Sequence, residues 1–206
     1  MIVIIDYEMG NVLSVKNALD RIGVKSVISR DDNDIKKATG LILPGVGSAG
    51  VGMENIKRFG IEKVIREEVT KGKPILGICL GMQLLMTQSE EGNVRCLNYI
   101  AGNVVRFGIG EKVPQIGWNT VFSKNGSILF ESIPQDSYFY FVHSYYSIPT
   151  NKNIVYGQTK YGNNFCSAIE KENMFGVQFH PEKSGQIGEK LLKNFIKYSY
   201  ENNSCS

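Results

Sequence analysis

The chain has 206 residues, of which 42% are apolar and 21% charged, and a net charge of +3. That size and balance describe one globular domain with a substantial core, and no apolar run approaches the roughly 20 residues of a membrane span. Lysine and arginine are scattered, as at Lys36-Lys37 and Lys71-Gly72-Lys73, without the concentrated basic stripe of a nucleic-acid binder.

The N-terminus enters an apolar run with no basic segment before it, so no secretory signal is expected and cytoplasm is the default. Cys79, Cys96, Cys166 and Cys205 are irregularly spaced, and His143 and His180 are the only histidines. Reduced thiols are expected, and no metal site, because the ligand spacing is missing.

Residues 1–5 form a continuous apolar run, the pattern of a strand buried on both faces. Val12, Val15, Ala18, Leu19 and Ile22 recur at helical spacing, and Gly23 is placed to stop that helix. Residues 25–29 and 40–43 read as strands. One helix is then expected to carry Ile56, Ile61, Val64, Ile65 and Val69, with Gly72 and Pro74 after its end. Residues 75–78 follow as a strand and 80–86 as a helix. Such alternation predicts βαβ units and a parallel sheet covered on both faces.

Beyond residue 99 the pattern changes to short strand-like runs at 100–107, 120–122, 138–142, 154–160, 166–170 and 174–179. A last amphipathic helix spans 187–198, and residues 201–206 are polar and expected to fray. The predicted fold is therefore a single α/β domain over residues 1–200. Its mixed, mostly parallel sheet is flanked by helices, and its second half is strand-rich.

Three segments carry chemistry. In Gly77-Ile78-Cys79-Leu80-Gly81 a thiol sits between glycines where a strand gives way to a helix. That is the pattern of a nucleophile elbow, whose neighbours must be small. The helix N-terminus favours a thiolate there. A lone cysteine is more often a buried core residue, and this segment by itself leaves the two readings even.

In Phe179-His180-Pro181-Glu182 the imidazole and carboxylate are two apart at the end of a strand. Residues two apart in an extended chain project to one side, so Glu182 is placed to orient His180 as the third member of a triad does. Pro44-Gly45-Val46-Gly47-Ser48-Ala49-Gly50 satisfies GxGxxG. Two strands already precede it, unlike a dinucleotide fingerprint. It reads instead as a turn whose backbone N–H groups, with that of Leu80, could hold an oxyanion; a plain turn and a phosphate loop are the alternatives. Gln83 lies one helical turn after Cys79 on the same face. Residues 138–145 alternate aromatics as a mostly buried strand, with His143 structural or at an interface. Trp118 is either packing or an interface anchor.

Together, PGVG, GICLGMQ and FHPEKS resemble the class I glutamine amidotransferases. Within that family, the segments DYEMGN, PQIGWN, FVHSYY and GVQFHPEKSGQIG are similar to the glutaminase subunits of imidazole glycerol phosphate synthases, over essentially the whole chain. The resemblance implies Cys79 as nucleophile, His180 as base and Glu182 as its orienter. It implies an oxyanion strand at Gly45, Val46 and Gly47, and glutamine held by Gln83, Ser144 and Tyr145. It places Gln115, Trp118 and Lys183 near a partner, a separate (β/α)8-barrel cyclase subunit, and it implies no metal or organic cofactor. Gln115 and Glu8 depart from the His and Gly frequent at those positions. The rival expectations are a paralogue feeding ammonia to a sugar amidotransferase, a cysteine peptidase or hydrolase, a non-enzymatic binding module with an inactive triad, and a nucleotide binder.

Overall fold

The computed structural model describes residues 1–108 and 110–202. In the first half β1 (Ile2–Ile5), β2 (Ser26–Ser29), β3 (Gly40–Leu43) and β4 (Ile75–Ile78) alternate with α1 (Val12–Arg21), α2 (Asp32–Lys37), α3 (Ala49–Arg58), α4 (Ile61–Thr70) and α5 (Leu80–Leu84). The apolar runs of β1, β3 and β4 are buried along their full length, as strands covered on both faces require.

The second half adds β5 (Gln88–Ser89), β6 (Val94–Arg95), β7 (Gly102–Arg106), β8 (Gln115–Ser123) and β9 (Ser137–His143). It continues with β10 (Tyr145–Pro149), β11 (Val155–Tyr161), β12 (Asn163–Lys171), β13 (Met174–Val177) and the closing helix α6 (Gly185–Asn202). The main path runs β2-β1-β3-β4-β13-β12-β10-β7-β5-β6, with β11, β8 and β9 branching from β12. The stretch from β2 to β13 is parallel, and β12 returns antiparallel. The expected α/β sheet with a strand-rich second half is the fold observed. Among the described residues no helix is long and apolar enough to cross a membrane.

Two cores lie on opposite faces of this sheet. Ile56, Ile61, Val64 and Ile65 of α3 and α4 pack with Val3, Leu41 and Ile75 on one face. On the other, Val15 and Leu19 of α1 and Leu192 and Phe195 of α6 meet Ile4, Ile42 and Leu76. An aromatic group extends this second core, where Phe139 and Phe179 stack with centroids 4.1 Å apart and Phe130 and Phe141 pack against Phe179. Truncating such a buried ring to alanine typically costs about 3–5 kcal/mol.

Three expectations need correction. The single helix from Ile56 to Val69 is two helices, because Gly60 takes φ 69° after Phe59 and turns the chain, while both halves keep their apolar faces on one core. Helix α2 was not anticipated, although Asp31 caps it by accepting from the N–H groups of Asn33 and Asp34. Glu201 and Asn202 continue α6 rather than fray, and residues 203–206 lie outside the described residues.

Candidate active site

Cys79 occupies the junction of β4 and α5 with φ 53° and ψ −108°. A non-glycine residue in such a region costs about 1–3 kcal/mol and is held only where its surroundings over-determine it. The surroundings are explicit. A Cβ at Gly81 would stand 1.7 Å from the Leu43 carbonyl oxygen, and one at Gly77 2.6 Å from the Met82 nitrogen. The bracketing glycines are thus required by the tightness of the turn. The Cys79 N–H donates to Val177 O at 2.8 Å, tying the elbow to β13. Its Sγ lies 3.8 Å from Val142 O and 3.6 Å from Gln178 Nε2.

His180 and Glu182 are both buried. They meet, with Nδ1 donating to Oε1 at 2.7 Å, but not along an extended strand. β13 ends at Val177, and residues 181–183 form a single 3-10 turn with Pro181 at its start. The turn folds the carboxylate back under the ring. The rule that residues two apart share a side applies instead to Gln178 and His180, which flank Phe179 as it enters the aromatic core. With Nδ1–H committed to Glu182, Nε2 is the ring nitrogen left to face Cys79. Burial opposes charge on this imidazole, but the charge of Cys79 and side-chain hydrogen bonds to Cys79 and Glu182 outweigh it and raise the pKa to about 10. The charged imidazolium is the form of His180 that the site favours.

Beside Cys79 lies a cavity of about 230 Å³, the scale of an amino-acid-sized ligand. Val46, Gly47, Leu80, Gln83, Ser144 and Tyr145 all line it, together with Pro114, His143 and Glu91. Gly45 sits just behind, against Tyr7, whose hydroxyl donates to Pro44 O at 2.6 Å. The glycine loop departs from the expectation in one respect: the Val46 N–H donates to Met9 O at 3.1 Å. In this conformation Val46 cannot donate to an oxyanion, because its one N–H is already used.

The strands β8 and β9 pair antiparallel with Trp118 opposite Tyr140 and Gln115 opposite His143. Alternation puts Gln115, Val121, Phe139, Phe141 and His143 inward. Ile116, Trp118, Phe122 and Tyr138 face outward, each more than half exposed. Trp118 lies edge-on to Tyr140 at 6.0 Å, and Lys183 Nζ is 5.9 Å from the same Tyr140 ring. Trp118 and Lys183 therefore flank one apolar face. Gln115 does not: it is buried with its side chain 3.0 Å from His143 Nε2, while His143 Nδ1–H donates to Tyr145 O at 2.8 Å. Through His143, Gln115 instead reaches Tyr145 at the cavity wall. Burial pushes the His143 pKa down to about 4 and keeps the ring neutral.

Three site residues escaped the sequence reading. Asn11 donates its side-chain N–H to Glu182 Oε1 and lies 3.5 Å from His180 Nδ1. Gln178 touches the sulfur, and its position two residues before His180 was the signal for it. Glu91 lines the cavity and accepts the Ala49 N–H at 2.8 Å; nothing in its surroundings in sequence marks it.

Comparison with known proteins gives three findings. A family model described as "Glutamine amidotransferase class-I" matches residues 3–198. The "Imidazole glycerol phosphate synthase subunit HisH" of Moorella thermoacetica is 49% identical over 195 residues, covering 94% of this chain and 93% of that protein. The protein of the same name from Chlorobaculum tepidum is 46% identical, covering 96% and 100%. Among solved structures, PurLQS from Thermotoga maritima has a TM-score of 0.78 at 19% identity, covering 96% of this chain and 97% of that one. At that identity the likeness speaks for the fold.

Proposed function

The chain belongs to the class-I glutamine amidotransferases, and we propose that within them it is the glutaminase subunit of an imidazole glycerol phosphate synthase of histidine biosynthesis. The observation that carries the chemistry is the placement of Cys79, on a strained elbow at the wall of a small cavity, beside a buried His180 held by Glu182. The alternative of ammonia supply to a sugar amidotransferase is not favoured by relatives of this identity and coverage.

The reaction is acyl transfer. The Cys79 thiolate adds to the side-chain carboxamide carbon of glutamine, forming the S–C bond and an oxyanion. The N–H of Leu80 and the glycine loop are proposed to hold that oxyanion, with the Val46 peptide first leaving Met9 O. The tetrahedral adduct expels the amine as the His180 imidazolium gives it a proton, producing ammonia and a glutamyl thioester. Neutral His180 then takes a proton from water, whose oxygen attacks the thioester carbon. The C–S bond breaks, glutamate leaves, and the thiolate–imidazolium pair is restored. Gln83, Ser144 and Tyr145 line the place for the substrate, and the Glu91 carboxylate suits its α-ammonium group.

Released ammonia would be protonated in bulk water, which favours direct passage to a partner. The outward face of β8 and β9 suits that partner, which we propose is a (β/α)8-barrel cyclase subunit. The face carries Trp118 and Ile116, and its strand β9 contributes Val142 to the cavity wall. Exposed aromatic residues in a cluster mark protein interfaces. The central test is Cys79→Ala. With the partner present it should release no ammonia from glutamine while keeping the wild-type circular dichroism and partner affinity; retained turnover would sink the reading.

A further inference from the structure

Gln178 is fully buried and has no part in the chemistry described above. Its amide lies between the Gln83 amide and the Cys79 sulfur. Gln83 Nε2 is 2.9 Å from Tyr145 O and 3.1 Å from Gln178 Oε1. A backbone carbonyl can only accept, so the Gln83 group facing Tyr145 O must be its NH2. That NH2 then gives its second proton to Gln178, whose facing atom must be the carbonyl oxygen. What remains for the sulfur is the Gln178 NH2 group, 3.6 Å from Cys79 Sγ. Turning either amide over would set donor against donor or acceptor against acceptor inside a buried network and leave those groups unsatisfied. One fixed carbonyl thereby orients both side chains.

Resting on the glutaminase reading, we propose that Gln178 is a catalytic residue with two contacts: its N–H donates to the Cys79 sulfur, and its carbonyl locks Gln83 so that Gln83 offers an oxygen to the substrate. Both protons of the Gln83 amide are used by Tyr145 O and Gln178. Its Oε1 is the atom with free capacity, on a residue that lines the cavity. The substrate group it suits is a donor, either the carboxamide NH2 or the ammonium of glutamine. At the sulfur, a neutral N–H supports the thiolate without adding charge. The bond weakens when the sulfur becomes a thioester and returns as the sulfur leaves in the second half-reaction.

Beside the titratable groups around Cys79, Gln178 is the neutral donor to the sulfur. His180, in the turn after β13, supplies the positive charge, with Glu182 behind it. Tyr7, after β1, has its hydroxyl turned to Pro44 O, and burial with the charge of Cys79 raises its pKa far above the ordinary range. His143 on β9 is neutral, and Glu91 at the cavity wall is bonded to Ala49 N–H.

The test is the pH profile of Cys79 alkylation by iodoacetamide, read by mass spectrometry on the full chain, beside steady-state glutaminase kinetics with the partner. Gln178→Met loses both contacts. Its alkylation midpoint should rise by about one pH unit, the size of one bond to a charged group, and its KM for glutamine about tenfold. Gln178→Glu keeps the acceptor for Gln83 but brings a carboxylate to the sulfur. Its midpoint should rise at least as far while KM stays within about threefold of wild type. In the unmutated protein, the Gln178 side-chain amide resonance should shift when Cys79 is alkylated, a readout that needs no variant to fold. Unchanged midpoints in both variants, or a silent Gln178 resonance, overturn the sulfur contact. An unchanged KM in Gln178→Met overturns the lock. Alkylation requires no turnover, so a chain with the expected alkylation profiles but no glutamine hydrolysis would overturn the glutaminase reading and leave the sulfur contact standing.

Discussion

The side-chain N–H of Asn11 and the Nδ1–H of His180 converge on the same oxygen of Glu182. Asn11 precedes α1, where an asparagine would ordinarily accept from the first turn of its own helix. It makes no such cap and adopts φ 64°, with its amide directed at the carboxylate instead. Its place is explained by the His180–Glu182 pair rather than by the helix. Replacing it by alanine removes one of two bonds that hold the carboxylate. A bond to a charged group contributes about 1.5–3 kcal/mol, so kcat should fall about 10- to 100-fold with KM little changed. A fall in KM affinity with kcat intact would show that Asn11 acts on binding.

The raised pKa of His180 depends on its neighbours' charges and is opposed by burial. Cys79→Ala removes the sulfur charge and leaves Glu182. The His180 titration, followed by NMR of its ring protons, should move down from about 10 in that variant. The sign also bears on stability. A histidine whose folded pKa is raised adds stability that is fully present below its unfolded value of about 6.5 and is lost as pH rises toward 10. Cys79→Ala should therefore show a smaller loss of stability above neutral pH than wild type, as measured by urea denaturation.

His143 has the opposite sign. Its folded pKa of about 4 lies below the unfolded value, so the unfolded chain binds a proton first as pH falls. Its contribution is present above about pH 6.5 and is lost between there and pH 4. His143→Gln should flatten the acid limb of the stability curve, and an unchanged limb would refute the assignment.

Val46 N–H is held by Met9 O in the structure, while the proposed oxyanion site needs that loop's donors. Its amide should exchange slowly with deuterium in the free chain. Once Cys79 is alkylated by a glutamine-like electrophile, it should lose protection relative to neighbouring amides. Equal protection in both states would mean that Leu80 and other donors suffice.

Trp118 is 57% exposed and supports no core. Truncating a central aromatic of an interface typically costs 2 kcal/mol or more, about 30-fold in Kd. Trp118→Ala should weaken binding of the proposed cyclase partner by about that factor in calorimetry, with Tm unchanged. Gln115→Ala, at a buried position, should instead lower Tm.

Much of this protein is written locally. The buried runs of β1, β3 and β4, the glycine bracket around Cys79 and the adjacency of His180 to Glu182 are short-range patterns. Periodicity and spacing report such patterns directly, because they reflect the geometry of a few consecutive residues. Motif resemblance then supplied the family. Where two local signals compete, as at Gly60, the apolar spacing of the following helix concealed the break, since both helices bury the same face. The tertiary structure decided what stands around the nucleophile. Parallel pairing of β4 with β13 brings residues a hundred positions apart to one end of the sheet, and only there do Gln178 and His180 meet Cys79. The loop before α1 delivers Asn11 to Glu182 across the same edge. These contacts arise from strand order, and strand order is set by how whole elements cover each other's apolar faces rather than by any residue's neighbours in sequence.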